Sequence, residues 1–286
     1  MTVVLALFVG ALTLRFVRVG AAGLVATPGL TRPNYRGHLV PISGGILVVV
    51  AVLVVEAGRA VFGSLGVGDH TGLTLARSEM LFAVFGFGFL GVVDDLVGQG
   101  EDRGFRGHLR AFAAGRITTG FVKLFAGAAV AVVLVAAPGF KSGRTLIVDA
   151  LLIAFAANLA NLLDRAPGRV IKAGLLVYVP LAFVLGDSAI GIALAPVMGA
   201  FIGLLGDDLR EHLMLGDCGA NIIGATLGLG VVLGRGEATR VTIVILLGVL
   251  NIAAEFFSFT AVIDRVGVLR AFDRLGTRPE RRQLSD

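Results

Sequence analysis

Runs of apolar residues separated by short polar connections repeat along nearly the whole chain. A helix that crosses the hydrocarbon of a bilayer needs about 20 residues. The pattern predicts an all-α, polytopic membrane helix bundle with about nine transmembrane helices, over residues 2–23, 40–61, 79–96, 119–138, 145–163, 171–186, 188–206, 218–234 and 241–262. We expect one transmembrane domain over residues 1–263, followed by a basic tail over residues 264–286.

The composition agrees with this architecture. Of the 286 residues, 56% are hydrophobic and only 16% are charged, and the mean hydropathy is +0.90. Soluble domains rarely have such a composition. The net charge of +5 is better explained by basic loops on one side of a membrane than by nucleic-acid binding. The single cysteine, Cys218, excludes an intrachain disulfide.

The distribution of basic residues predicts an orientation. If the N-terminus lies outside, nineteen of the 25 Lys and Arg residues fall on one set of connections and six on the other. Because Lys and Arg are enriched on the cytoplasmic side, we expect a cytoplasmic C-terminus and location in the plasma membrane. Four polar clusters lie on the same side, which predicts one shared cytoplasmic site.

The first cluster is the pair Asp94-Asp95, which ends an uncharged run from Met80 to Val93. Neighbouring carboxylates repel one another and are costly beside hydrocarbon unless a cation binds them. Mg²⁺, which prefers oxygen ligands, is one such cation. The alternative is that the pair ends a helix and lies in water.

A second cluster is the turn from Arg36 to Gly45. Gly44 and Gly45 stand where the second span begins, and the N–H groups at a helix start can bind phosphate. The alternative is a tight turn with close helix packing.

The third cluster places Asn158, Asn161 and Asp164 at intervals of three residues, along one face of a helix. Polar groups on a membrane helix need partners. A nucleotide with its sugar and phosphate groups would provide them, and hydrogen bonds between helices are the alternative.

The fourth cluster contains Asp217, which precedes the eighth span. It fits either an ordinary helix N-cap or a ligand for a metal and a diphosphate. The nearby segment 207–212 is predicted to be a solvated loop, with contact to the site as the less favoured interpretation. The four histidines have no metal-binding spacing, so we expect no zinc site.

Four motifs in this order resemble the polyprenyl-phosphate N-acetylhexosamine-1-phosphate transferase family, from about Arg36 to Thr226. The motifs are RGHLVPISGG, GVVDDL, NLANLLD and LGDCGANIIGATLG, and GFVKLF places Lys123 like the family lysine of the fourth helix. The resemblance implies an enzyme that transfers a sugar-1-phosphate from a UDP-sugar to a polyprenyl phosphate within a membrane, and releases UMP. The resemblance is also compatible with a homodimer.

The resemblance also implies roles for individual residues. Mg²⁺ would be held by Asp217 together with Asp95 or Asp94, and the other member of the pair would position or deprotonate the nucleophile. The resemblance assigns phosphate binding to basic side chains that include Lys123 and Arg106. It assigns the nucleotide-sugar to Asn158, Asn161 and Asp164. From their own chemistry, Gly44 and Gly45 are expected to bind substrate phosphate through their N–H groups. Arg165 is expected to contact the donor, because a guanidinium binds a carboxylate or phosphate through two hydrogen bonds.

The chain also departs from the family pattern. Arg165 stands where the family usually has glycine, and no lysine follows the Asp94-Asp95 pair closely. The tail lacks the clustered histidines of the family and is rich in arginine instead. We predict that Arg270 and Arg274 take over part of the phosphate binding of those histidines, and the alternative is that the tail binds anionic lipid headgroups. An alternative is therefore a non-catalytic homologue that binds lipid phosphate or a partner protein. A transporter is less favoured, because no inverted repeat is visible.

Overall fold

The computed structural model describes residues 2–21, 23, 27–67, 72–97, 119–136 and 142–278, without the side chains of residues 28 and 119–123. Within these residues, a long helix lies at each of the nine predicted spans. These helices are α1 (Val3–Gly20), α2 (Gly44–Ser64), α3 (Leu75–Val97), α4 (Thr119–Val135), α5 (Gly143–Leu163), α6 (Arg169–Leu185), α7 (Ala189–Leu209), α8 (Gly216–Gly234) and α9 (Glu237–Ala253).

Six of the nine helices in the described part of the chain are long and apolar enough to cross a membrane: α1, α2, α3, α5, α7 and α8. The other three, α4, α6 and α9, have 17 residues each. The structure therefore confirms a predominantly α-helical membrane bundle. The full count of nine spans and the orientation of the termini remain predictions.

The end of the ninth predicted span differs from the sequence expectation. Instead of continuing to residue 262, α9 ends at Ala253, and a turn leads to two short helices, α10 (Phe259–Arg265) and α11 (Gly267–Arg274). Apolar residues alone did not reveal this break, because the sequence 254–263 stays mostly apolar through the turn.

A small antiparallel hairpin is the second difference from the all-α prediction. Strand β1 (Thr31–Pro33) pairs with β2 (Leu39–Pro41) between α1 and α2. Each strand has three residues, which is too short for an alternating pattern to be recognised in the sequence.

Helix α8 is the centre of the bundle. It is buried along nearly its whole length and packs against α2, α3, α5, α6 and α7. A Cβ atom at Gly45 would overlap the backbone N of Gly219, and one at Gly91 would overlap Cys218. Glycine at these two positions therefore lets α2 and α3 meet the start of α8 at backbone distance. We call this end of the bundle, where Asp95 and Asp217 lie, the site end.

Candidate active site

The carboxylate of Asp95 joins the C-terminal end of α3 to the N-terminal end of α8. Its Oδ1 accepts the N–H of Asp217 at 3.0 Å, and its Oδ2 accepts the N–H of Cys218 at 3.1 Å. The first N–H groups of a helix have no partner within the helix, and an anion there also interacts favourably with the helix dipole. Asp95 therefore caps α8 from a neighbouring helix and fixes the position of Asp217.

Asp164, directly after the last residue of α5, belongs to the same group of carboxylates. Burial is the main cause that raises the pKa of Asp164 well above its ordinary range, and the charges of Asp208, Asp217 and Asp95 raise it further. Arg165 acts in the opposite direction. Four carboxylates from four helix ends are thus close enough to interact electrostatically. Asp94, beside Asp95, is half-buried.

Asp208 is a site residue that the sequence analysis missed. It was assigned to a solvated loop, but it is buried in the last turn of α7, and its Oδ2 accepts the N–H of Gly168 at 2.8 Å. This contact fixes the start of α6, and with it the loop that follows Asp164. The burial of Asp208 could have been predicted, because Asp208 lies on the same helical face as the buried residues Phe201 and Leu204.

Glu211, also assigned to the solvated loop, is buried and has a positive φ of 58°. Its carboxylate accepts hydrogen bonds from Asn34 at 2.9 Å, Tyr35 at 3.1 Å and Arg36 at 3.1 Å. Glu211 therefore ties the tip of the β1–β2 hairpin to the connection between α7 and α8. The prediction of a solvated loop was wrong for both acidic residues.

Arg32, on strand β1, brings a cation to the same end of the bundle. Its Nη2 donates to the carbonyl of Asp95 at 2.7 Å. The sequence analysis used Arg32 only as one of the nineteen basic residues that predict the orientation. Its contact with α3 places a guanidinium at the site end, next to the backbone of Asp95.

The glycine turn at Gly44 and Gly45 packs closely against the segment that leads into α8. The N–H of Gly44 donates to the carbonyl of Met214 at 3.1 Å, and the N–H of Gly45 donates to that of Leu215 at 2.9 Å. These N–H groups are engaged in backbone hydrogen bonds, and the binding of substrate phosphate by Gly44 and Gly45 stays a prediction. The alternative, a tight turn with close helix packing, describes what the structure contains.

The asparagines of α5 bind neighbouring helices. Asn158 donates to Asn251 of α9 at 2.6 Å, and Asn161 donates to Asn221 of α8 at 3.3 Å. Asn158 therefore fits the alternative, a hydrogen bond between helices, and the geometry gives no support to its role in substrate binding. The bond from Asn161 leads to α8, one turn beyond Asp217, so Asn161 lies nearer the carboxylates.

The structure describes one of three further predicted phosphate-binding side chains, that of Arg165. Arg106 lies outside the described residues, and so does the side chain of Lys123, although its backbone is part of α4. Arg165 is exposed and follows Asp164 directly. The predicted roles of these three residues stay predictions.

The carboxylates form no ready-made metal site. In the part of the chain that the structure describes, no three His, Cys, Asp or Glu side chains converge closely enough to hold an ion. Mg²⁺, however, usually keeps several waters and takes one or two protein carboxylates together with substrate phosphates. Such an ion would compensate the negative charge that raises the pKa of Asp164.

Comparison with known proteins supports the resemblance seen in the motifs. No family model matches the chain. A phospho-N-acetylmuramoyl-pentapeptide-transferase from Deinococcus radiodurans is 31% identical over 194 residues, which cover 65% of this chain. The chain spans 59% of the length of that relative. This match agrees with the resemblance to the polyprenyl-phosphate N-acetylhexosamine-1-phosphate transferases that the four motifs carry.

Proposed function

We propose that this protein is a Mg²⁺-dependent transferase that moves a sugar-1-phosphate from a UDP-sugar to a polyprenyl phosphate, for the synthesis of a cell-envelope glycan. The observation that carries the proposal is the contact of Asp95 with the start of α8 at Asp217, with Asp164 in electrostatic range. The proposed site lies at the cytoplasmic surface of the plasma membrane.

In the proposed reaction, a phosphate oxygen of the lipid forms a bond to the β-phosphorus of the UDP-sugar. The bond between that phosphorus and the bridging oxygen breaks, and the oxygen leaves with UMP. The lipid phosphate is already mostly ionised at neutral pH, its second pKa being about 6. The main difficulty is therefore to bring two anions together and hold them in line.

Different residues of this chain would bind the metal, fix the site and attract the phosphates. Asp217, with Asp94 or Asp95, would hold Mg²⁺, which when bound supplies positive charge to the phosphate oxygens. Asp95 also fixes Asp217 by capping α8. Arg32 and Arg165 would attract the phosphates, and Asn161 and Asp164 would face the nucleotide-sugar.

The proposed function is tested by UMP release. Purified protein is given Mg²⁺, a C55 polyprenyl phosphate and a panel of UDP-sugars, and UMP is measured with and without each component. We expect release that needs the lipid, one or more of the sugars, and the metal. Absence of UMP with every donor would favour the alternative, a non-catalytic homologue that binds lipid phosphate.

We predict that Asp164→Asn raises stability in the absence of Mg²⁺ while it lowers UMP release. A raised pKa means that the folded state prefers the protonated acid, so Asp164 lowers the free energy of unfolding as the pH rises from about 3.9 through the raised value. An uncharged amide at this position removes the loss of unfolding free energy that ionised Asp164 causes. Thermal unfolding of both proteins at pH 7 and at pH 4.5 measures the effect.

The stabilisation by Asp164→Asn should be larger at pH 7 than at pH 4.5. It should also shrink when Mg²⁺ is added, because the cation stabilises the ionised wild-type carboxylate. Equal stability of the two proteins at both pH values would contradict the interpretation of Asp164 as a member of a repelling cluster.

We predict that Arg165→Gly changes the choice of donor. Arg165 is exposed beside Asp164, and a guanidinium binds a carboxylate or phosphate through two hydrogen bonds. Its removal should lower UMP release from the preferred UDP-sugar more than from the others in the panel. Arg210→Gly, which removes an exposed arginine near the end of α7, is the control. An unchanged donor ranking and turnover would refute the role.

A further inference from the structure

The β1–β2 hairpin is attached at both of its ends to the connection between α7 and α8. At its base, the carbonyl of Pro41 accepts the N–H of Met214 at 2.7 Å. At its tip, the carboxylate of Glu211 accepts hydrogen bonds from three side chains, those of Asn34, Tyr35 and Arg36. The hairpin and this connection therefore form one unit, directly before the start of α8.

Glu211 has a backbone conformation that glutamate rarely adopts. Its φ of 58° lies in the left-handed region, and among the described residues it is the one residue other than glycine with a positive φ. Strained backbone of this kind is concentrated at functional sites. Its carboxylate is also buried, which is costly unless the oxygens are paired. Glycine would relieve the backbone but would leave the hairpin tip without its acceptor, so the hydrogen bonds explain why a glutamate stands here.

The orientation of the hairpin determines the position of Arg32. Arg32 lies opposite Val40 in the register of the two strands. Side chains directly opposite one another on antiparallel strands lie on the same face of the sheet. Val40 is 6% exposed, so this face packs against the bundle. A hairpin that moves at its tip would therefore move the guanidinium of Arg32 relative to α3.

Arg32 is fixed by neutral groups. Within the described residues its guanidinium makes two hydrogen bonds, from Nη1 to the carbonyl of Thr31 at 2.9 Å and from Nη2 to that of Asp95 at 2.7 Å. Neither carbonyl compensates the positive charge, and a guanidinium has five N–H donors in all. Arg32 is only half-buried, and a guanidinium binds phosphate through two parallel hydrogen bonds. Its placement at the site end therefore suits an anionic ligand.

We propose that Glu211 is a positioning residue, which through the hairpin holds Arg32 where the guanidinium binds a substrate phosphate. The inference rests on the proposed function and adds to it a residue that contacts neither substrate. The phosphate belongs either to the lipid or to the UDP-sugar, since both present the same anionic oxygens. Glu211 and Arg32 are both described and no hydrogen bond joins them, so a coupling between them indicates transmission through the hairpin.

The proposal is tested by binding, which does not depend on turnover. The dissociation constants of UDP and of C55 polyprenyl phosphate are measured with Mg²⁺ for the wild type, Arg32→Ala, Glu211→Gly and the double variant. We expect Arg32→Ala to weaken at least one of the two ligands by about 10-fold or more, the factor of one hydrogen bond to a charged group. Glu211→Gly should weaken the same ligand by about 3-fold or more, as expected for coupled residues.

Two further variants control for the fold, and thermal unfolding is measured for all of them. Glu211→Gln keeps the size of the side chain but loses its charge, so its loss of affinity should lie between those of the wild type and Glu211→Gly. It replaces Glu211→Gly in the comparison if the glycine variant does not fold. Glu237→Gly makes the same change at an exposed glutamate of α9, which pairs with Arg144 at 3.8 Å. It should leave both dissociation constants unchanged.

The double variant separates positioning from a general effect. If Glu211 acts through Arg32, the double variant binds no more weakly than Arg32→Ala, whereas independent sites would multiply their losses. Multiplied losses, unchanged affinities in either single variant, an equal loss in Glu237→Gly, or no binding of either ligand by the wild type would overturn the inference. Absence of UMP release by a wild type that shows the expected binding pattern would instead refute the proposed function.

Discussion

Replacement of Asp217 by asparagine should reduce UMP release by about 10²-fold or more, the loss typical of removing one electrostatic group from an active site. Asp217 lies in the first turn of α8, where its N–H is held by Asp95. The substitution preserves the size of the side chain and the backbone N–H, so the cap on α8 remains. The substitution removes only the negative charge that would hold Mg²⁺.

The control for Asp217→Asn is Asp187→Asn. Asp187 accepts the N–H of Val3 at 2.7 Å, in the connection between α6 and α7, which is the end of those helices opposite to Asp208. It is exposed, so the same chemical change is made far from the site. We expect it to leave UMP release unchanged, and the Mg²⁺ concentration for half-maximal activity should rise only in Asp217→Asn.

Two results would contradict this role of Asp217. Full turnover in Asp217→Asn would remove it from the proposed machinery and leave α8 as a structural helix. Equal loss in both variants would indicate a general effect of lost negative charge. Thermal unfolding of each variant separates loss of the charge from loss of the fold, and we expect Asp217→Asn to unfold near the wild-type temperature.

The sequence predicted the helices well because a membrane imposes a simple requirement on them. Each span must be apolar over most of its length, and a helix is found in every predicted segment of the described chain. The convergence of Asp95 and Asp217 was also predictable, because the predicted spans place both residues on the same side of the membrane. The helices follow from the order of apolar runs, and the convergence follows from the shared side of the polar clusters and from the family motifs.

The partners of polar residues could not be predicted in the same way. Asn158 and Asn161 were expected on one face toward a nucleotide, but residues three apart are offset by about 60° around a helix of 3.6 residues per turn. That offset is enough for Asn158 to reach α9 and Asn161 to reach α8. Which helix stands on each side is a matter of three-dimensional packing, and no local pattern contains it.

The tail shows the same limit. Its arginines were predicted either to bind phosphate at the site or to bind anionic headgroups, and no pattern in the sequence predicted that Asp273 is buried. In the structure, Asp273 of α11 is buried and accepts two hydrogen bonds from Arg169 of α6, from Nε at 2.8 Å and from Nη2 at 3.0 Å. An acidic residue among arginines therefore attaches the tail to the bundle.

Further contacts strengthen this attachment. Lys172 donates to the carbonyls of Phe272, Asp273 and Leu275, at 3.0, 2.6 and 3.2 Å. These are the carbonyl groups at the end of α11, where a cation also interacts favourably with the helix dipole. A Cβ atom at Gly276 would lie 3.1 Å from Leu209, the residue after Asp208, so the tail lies close to the site.

Replacement of Asp273 by alanine should release the tail. Removing one partner of a buried ion pair costs about 3–5 kcal/mol, because the other charge remains buried. The chain can avoid this cost by undocking α10 and α11, which exposes Arg169 to water while the main bundle stays folded. We therefore expect rapid tryptic cleavage after Arg265, Arg270 or Arg274 in Asp273→Ala, and slow cleavage in the wild type.

Asp264→Ala is the matched control within the same tail. Asp264 pairs with Arg274 at 3.8 Å, and its side chain is 44% exposed, so this pair should contribute only about 0–1 kcal/mol. Its cleavage should resemble that of the wild type. A second variant, Arg169→Met with Asp273→Leu, replaces the pair by apolar side chains and should restore much of the protection, since such replacements are often neutral.

UMP release by Asp273→Ala then distinguishes the two predicted roles of the tail. If Arg270 and Arg274 hold substrate phosphate, Asp273→Ala should lose most UMP release in neutral detergent, and Arg169→Met with Asp273→Leu should recover it along with protection from trypsin. Full turnover in a protein whose tail is cleaved would instead make α11 a membrane-surface anchor, and the phosphates would then be bound by residues of the bundle such as Arg32. Equal protection of Asp273→Ala and the wild type would show that the ion pair does not hold the tail in place.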